Sequence, residues 1–392
     1  MLEAQAHFDR LKDGLPGDAN ARQAALAAAE ANGVPTRRVE SWHYTDLPRL
    51  IKTDTADPLH AINFIAVNAV MAVFDDGVLD AAPTAEGLKL SPFEGAEAIS
   101  AAPMAQYNAA LAQNGLVVEI NGALAAPLVI TTSGTADVHL AHKITLAAGA
   151  KAVLVDNHMA TGYSNSVFDI TLGEGAELTL IRSQQAGRHI GQSRVHLAAD
   201  AHYRSVALVT GGGLARHEAE IILADEKAHA DLHSAVLGQA GHHADFTYVI
   251  DHQAANTSSD TSAYNVLDGA ARGVFQGKVI VRPDAQHVEA EMQARAMMLA
   301  DGAEMDAKPE LEIYADDVAC AHGSAIGELD REALFFLRSR GLDEATARQL
   351  LIGAFIEQVT GHITDDGLAT IMRGLIDTKI AAVLGGEAGG VA

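Results

Sequence analysis

Between Leu116 and Gly327 the chain runs in short apolar stretches broken by Gly, Asp and Ala. Four of the breaks share one form: Leu146-Ala-Ala-Gly-Ala150, Leu172-Gly-Glu-Gly-Ala176, Leu197-Ala-Ala-Asp-Ala201 and Leu223-Ala-Asp-Glu-Lys227. In each, a leucine closes a stretch and a small or acidic turn follows. The leucines recur at intervals of 26, 25 and 26 residues, and related turns stand at Val281–Ala285 and Leu299–Ala303. A period this regular marks a solenoid, in which no repeat buries its own apolar face and each must stack on its neighbours. The segments between turns, such as Lys151–Val155, Leu178–Arg182 and Ser205–Val209, are β-rich, and few helical segments separate them. A parallel β-helix therefore fits better than a helical repeat or a leucine-rich horseshoe. An antiparallel sandwich with evenly spaced strands is the alternative that periodicity leaves open.

Helical patterns flank this region. Residues 3–32 are rich in Ala, Leu, Glu and Gln, with a break at Gly14–Gly17 and a stop at Gly33-Val34-Pro35-Thr36. A second candidate runs from Glu97 to Gln113. After Gly327, Asp330 can cap a helix reaching Ser339, which Gly341 ends. Asp343 can cap another, with Ala347, Leu350, Leu351, Ala354, Phe355 and Val359 on one stripe, and a third helix is predicted over Gly367–Leu384. The glycine-rich tail from Gly385 to Gly390 has nothing to pack and is expected to be disordered. The pattern thus predicts a mainly β protein with flanking α: a helix-rich region at 1–115, a β-solenoid core at 116–326, and a helical domain with its tail at 327–392.

Composition narrows the function. Across 392 residues the apolar fraction is 48% but aromatics are only 5%, which suits thin stacked layers. The net charge of −24 argues against nucleic acid, whose phosphates need clustered Lys and Arg, and against anionic membrane surfaces. The N-terminus lacks a basic segment followed by an apolar one, and the apolar run Ile62–Phe74 is too short to span a bilayer. One cysteine excludes an internal disulfide framework. A soluble cytoplasmic protein is expected.

Several motifs fall short of chemistry. Gly273-Val-Phe-Gln-Gly277-Lys278 has one residue too few between its glycines for a phosphate loop and lacks the Ser or Thr that holds magnesium. Gly173-Glu-Gly175 lacks a third glycine, and Gly211-Gly-Gly213 opens no helix. Most of the 18 histidines are expected to be solvated or bonded to backbone on solenoid faces, and His242-His243 would point to opposite sides of a strand. Val318-Ala-Cys320-Ala-His322-Gly323 stands apart. On the last strand of a solenoid Cys320 and His322 would share a face, about 6.6 Å apart at Cα. Thiolate and imidazole are good ligands for iron, zinc or a cluster edge, while a buried cysteine beside a backbone-bonded histidine is the plainer reading. A cluster needs about four ligands, so one cysteine makes any such site incomplete without another subunit.

The stretch Ala270–Gly341 closely resembles the SufB/SufD family. Arg272–Lys278, Arg282-Pro-Asp-Ala-Gln286, Lys308–Val318, Cys320-Ala-His322-Gly323 and Gly327–Gly341 carry the likeness in order, and Pro35-Thr-Arg-Arg-Val-Glu-Ser-Trp42 resembles the family's N-terminal motif. Glycine after His322, and the lack of further cysteines, point to the SufD-type branch. The resemblance implies a right-handed parallel β-helix between helical domains and a non-catalytic scaffold in iron–sulfur cluster assembly. It also implies pairing with a SufB-like subunit and a SufC ATPase held by the C-terminal helices. The position of His322 would be a ligand at the subunit interface, with Cys320 nearby, for a transient cluster or iron; no tightly bound cofactor is expected of the isolated chain. Two rivals remain at this point. A homodimer could serve as a structural or storage form through the same edge, and a β-helix enzyme acting on polysaccharide would need clustered acids and exposed aromatics.

Overall fold

The computed structural model describes residues 4–52 and 68–385. The tail from 386 onward and the part of the apolar run before Asn68 lie outside the described residues.

Two parallel sheets face each other. The first stacks Leu128–Ser133, Lys151–His158, Glu177–Gln184, His202–Val209, His229–Gly238, Ser258–Leu267, Val288–Met298 and Val318–Glu328. The second stacks Val117–Ile120, Val138–Leu146, Tyr163–Leu172, Arg188–Leu197, Leu214–Leu223, His243–His252, Arg272–Val281 and Glu304–Ile313. The chain alternates between them, so each coil contributes one strand to each sheet: a parallel β-solenoid. The repeating leucines are its ladder, since Leu146, Leu172, Leu197 and Leu223 stand opposite one another in register. The ladder continues through His252, Val281 and Ile313, and the coil grows from about 26 to 32 residues along it. Val281 belongs to this column, but Leu299 does not. Its turn lies on the opposite side, in the column that leads back to the second sheet, with Met298 opposite Leu267. That column is rich in glycine because its turns stack closely. Gly187 and Gly212 have φ of +67° and +93°, and a Cβ on Gly212 would come 2.7 Å from the Gly187 carbonyl oxygen. Gly212→Ala is expected to lower stability by about 2 kcal/mol in urea unfolding, from left-handed strain plus this collision.

The sheet begins earlier than the change of texture at Leu116. Val70–Asp75 pairs in parallel with Leu128–Ser133, and the short strands Val78–Leu79 and Leu88–Ser91 add antiparallel ends to the two sheets. The predicted helix over 97–113 is shorter, Pro103–Leu111. Pro103 fits the first helical turn and forces Ala102 into extended backbone at ψ 138°. Other helices match their signals: Ala19–Asn32 is capped by Asp18 and stopped at Gly33, Arg331–Ser339 is capped by Asp330, and Glu344–Thr360 by Asp343.

The lumen is apolar beside the leucine ladder, with Phe168, Ile170, Leu180, Tyr203, Ile221 and Phe246 packed between the sheets. Toward the glycine-rich turns it becomes polar. His158, His189 and His217 stack there in sequence, with ring centroids 4.3 and 5.4 Å apart, beside the buried Arg182–Asp156 pair at 3.4 Å. The expectation that most histidines are solvated or backbone-bonded on solenoid faces fails for eight of them: His139, His142, His158, His189, His217, His233, His243 and His252 are buried. Strand alternation directs several of them inward, where Ser, Thr and neighbouring rings replace water.

Both outer faces are covered in part. The C-terminal helices lay Ile352, Ile356, Val359, Met372 and Ile376 on Val155, Ile181, Leu208 and Val266 of the first sheet. The contacting stripe is therefore turned from the predicted one, leaving Leu350 and Ala354 exposed. The N-terminal segments pack Leu26, Trp42, Leu47 and Met104 on Tyr163, Ile190 and Leu214 of the second sheet. Here Arg216, fully buried, lies 3.9 Å over the Trp42 ring, donates to the Ser41 carbonyl at 2.7 Å and pairs with Asp245, which also accepts from Thr45. Among the described residues no helix is long and apolar enough to cross a membrane.

Candidate functional site

The two ends of the solenoid differ. Short antiparallel strands finish the N-terminal end, a common protection for sheet edges. At the other end Glu304–Ile313 and Val318–Glu328 are each paired on one side only. Val318–Glu328 is the last strand, as the spacing of Cys320 and His322 requires. It runs parallel to Val288–Met298, with Cys320 opposite Ala290 and His322 opposite Met292.

Neighbours in a parallel ladder project to the same side, and Ala290 and Met292 belong to the core. Cys320 and His322 therefore continue the row that faces the lumen. Cys320 is half-buried against the rim of the core; His322 is exposed because no further coil covers it. Across the lumen Gly277 and Pro309 are register partners on the second sheet. The Met292 thioether fills the space above Gly277, where a Cβ would approach its sulfur to 2.1 Å. Thiol, imidazole and thioether thus line one open mouth. A shallow cavity of about 300 Å3 beside it is bounded by Glu291, Met292, Arg295, His322 and Ser324.

Burial pushes the Cys320 thiol upward, against a backbone hydrogen bond from Ala290. The thiol therefore keeps its proton at neutral pH. Among the described residues no third His, Cys, Asp or Glu donor converges on Cys320 and His322. The pair can furnish two ligands, one short of the smallest metal triad.

The other sequence signals are structural. Gly273–Lys278 is the interior of a strand, with Lys278 bonded to Glu312 at 2.6 Å, and Gly173–Gly175 and Gly211–Gly213 lie in solenoid turns. His242 lies in a turn, while His243 is buried and bonded to Thr45 at 2.8 Å. Met292 went unnoticed in the sequence. Its only signal is a register offset from His322 that becomes visible once coil length is known.

Comparison with known proteins agrees with this architecture. Residues 129–355, more than half of the chain, match the family model for the SUF system FeS cluster assembly SufBD core domain. Escherichia coli SufD, an iron–sulfur cluster assembly protein, is 28% identical over 367 residues, 86% of this chain and 87% of that protein. A SufBD family protein of Synechocystis is 32% identical over 206 residues, 51% of this chain and 45% of its own length. Bacillus subtilis SufD is 28% identical over 152 residues, 39% of this chain and 35% of the relative. With a two-sheet solenoid that ends in Cys320-Ala-His322-Gly323, and with these matches, the chain belongs to the SufB/SufD family of iron–sulfur cluster assembly proteins and is of the SufD type.

Proposed function

We propose that this chain is a non-catalytic scaffold for iron–sulfur cluster assembly, joined edge to edge with a SufB-like subunit at its open mouth. The carrying observation is that the strand bearing Cys320 and His322 is unpaired along its outer edge. Its length is 11 residues, and Ile326 on it is 53% exposed. Open edges invite a further strand, and backbone pairing would fix the geometry across the junction. A sister subunit would then complete the ligand set around an iron or cluster cargo to which this chain contributes His322 and Cys320.

A SufC-like ATPase would dock on the C-terminal helices. In support, Arg331–Ser339 buries none of its side chains, and its Phe335 is 75% exposed. Leu350 and Gly353 line an open groove of about 620 Å3 with Arg373 and Ile376. Movement of docked ATPases would then be transmitted through helices that share a core with the first sheet.

His322→Ala is expected to lower cluster formation by the reconstituted complex about tenfold or more, with subunit assembly retained. Undiminished cluster yield would remove the ligand role. A partner-free homodimer through the same edge would show as unchanged size when the SufB-like subunit is added.

A further inference from the structure

Away from the mouth, the outer face of the first sheet gathers His202, His229 and Asp231. His202 and His229 open neighbouring strands and stand opposite each other in register, and Asp231 follows two residues later on the same face. His202 Nε2 lies 3.0 Å from Asp231 Oδ2 and His229 Nε2 lies 2.7 Å from Oδ1. The donor atoms of all three fall within 4.8 Å of one another. The rings stand edge to face, with centroids 4.6 Å apart. The carboxylate is nearly buried, while each imidazole keeps about a third of its side chain in solvent.

We propose that His202, His229 and Asp231 form a binding site for a divalent first-row transition-metal ion, with water filling its remaining positions. Two imidazoles and one carboxylate suit zinc or ferrous iron and discriminate against magnesium and calcium. Bonds of about 2.0–2.1 Å place tetrahedral donors roughly 3.3 Å apart, so donors already within 4.8 Å of one another reach that spacing by side-chain adjustment alone.

The surroundings are arranged for ligation. His229 Nδ1 lies 2.6 Å from Ser258 Oγ. Without an ion, Nε2–H donates to Asp231 and Ser258 donates to Nδ1. On binding, the imidazole proton moves to Nδ1, Ser258 accepts it, and Nε2 offers its lone pair to the metal; a hydroxyl serves in both states. Arg204 holds Asp231 through Oδ2, at 3.2 Å from Nε and 3.0 Å from Nη2, which leaves Oδ1 for the ion. Asp260, the register partner of Asp231 on the next strand, adds a second carboxyl beside the three. Two strands separate the site from the one bearing Cys320 and His322, so it stands or falls independently of the mouth.

The test is titration of the chelator-treated full-length protein with Co(II), followed by competition with Zn(II). One equivalent of Co(II) is expected to give visible d–d absorption that Zn(II) abolishes. His202→Ala and His229→Ala are expected to weaken binding about 100-fold or more, and Ser258→Ala, which keeps all three ligands, about tenfold or more. His202→Gln, checked for native circular dichroism, separates ligand loss from misfolding. The double variant with Cys320→Ser and His322→Ala is expected to bind as the parent does. Binding that survives loss of His202 and His229, or that disappears with Cys320 and His322 instead, overturns the proposal.

Discussion

Arg216→Ala is expected to destabilise the protein by about 3–5 kcal/mol, read as a lower urea midpoint. Arg216 and Asp245 are both fully buried side chains, so deleting the guanidinium leaves a carboxylate that water cannot reach, with only Thr45 and Thr247 to donate to it. The same deletion strips the cation from the Trp42 ring and the donor from the Ser41 carbonyl. Because Trp42 and Leu47 are the wedge that seats the N-terminal segment on the second sheet, that segment should become protease-sensitive before the solenoid unfolds. Replacing both partners by apolar residues of similar size, Arg216→Met with Asp245→Leu, is expected to restore the share of the loss due to the orphaned Asp245 charge, while the Trp42, Ser41 and Glu218 contacts of Arg216 stay lost. Equal destabilisation by the single and double replacements would refute this account.

The second large effect is acid unfolding. Burial pushes His142, His158, His233 and His243 down to about 3 and His252 to about 4. It also holds His189 and His217 well below their ordinary value. A depressed histidine stays neutral in the folded chain while its unfolded counterpart takes a proton below about 6.5. Its contribution is therefore complete above that pH and is lost as pH falls toward the folded value. In that window each group removes about 1.4 kcal/mol per pH unit. Together these residues exceed a typical stability of about 5–15 kcal/mol within two units, so a cooperative transition is expected near pH 5. His158→Gln should reduce the protons taken up on unfolding by about one. Stability that stays level from pH 7 to 4.5 would rule out neutral burial of this column.

The leucine ladder was legible because a coil of constant length repeats its signal: Leu146, Leu172, Leu197 and Leu223 fall in register at near-equal intervals. Once the coils lengthen, spacing alone no longer tells which side of the solenoid a turn occupies, so the related turn at Leu299–Ala303 could not be assigned to its column. Capping residues announced the C-terminal helices, since Asp330 and Asp343 each accept from the first turn, whereas the Asp18 cap emerged only in the structure. The buried stripe of Glu344–Thr360 was not legible. Apolar residues surround much of that helix, so periodicity could not choose between the Leu350 side and the Ile352–Ile356 side. The histidines were misjudged because polarity predicts exposure only when water is the sole available partner. His252, for example, finds Thr257 at 2.8 Å and Ser259 at 3.0 Å inside the protein. Cys320 and His322 were found through strand alternation, whereas His202, His229 and Asp231 converge only through the register between coils.

Strands of the first sheet lengthen from 8 residues at Lys151–His158 to 11 at Val318–Glu328. At about 3.3 Å per residue this sheet is tapered, roughly 10 Å broader at the mouth, while the strands of the second sheet from Tyr163–Leu172 onward stay at 10 residues. A taper imposes polarity on assembly. The broad rim cannot be continued by the narrow, finished end of another copy, so head-to-tail growth into fibres meets a step in width as well as a blocked edge. Rim against rim, the pairing proposed above, would instead match in width and close after two scaffolds.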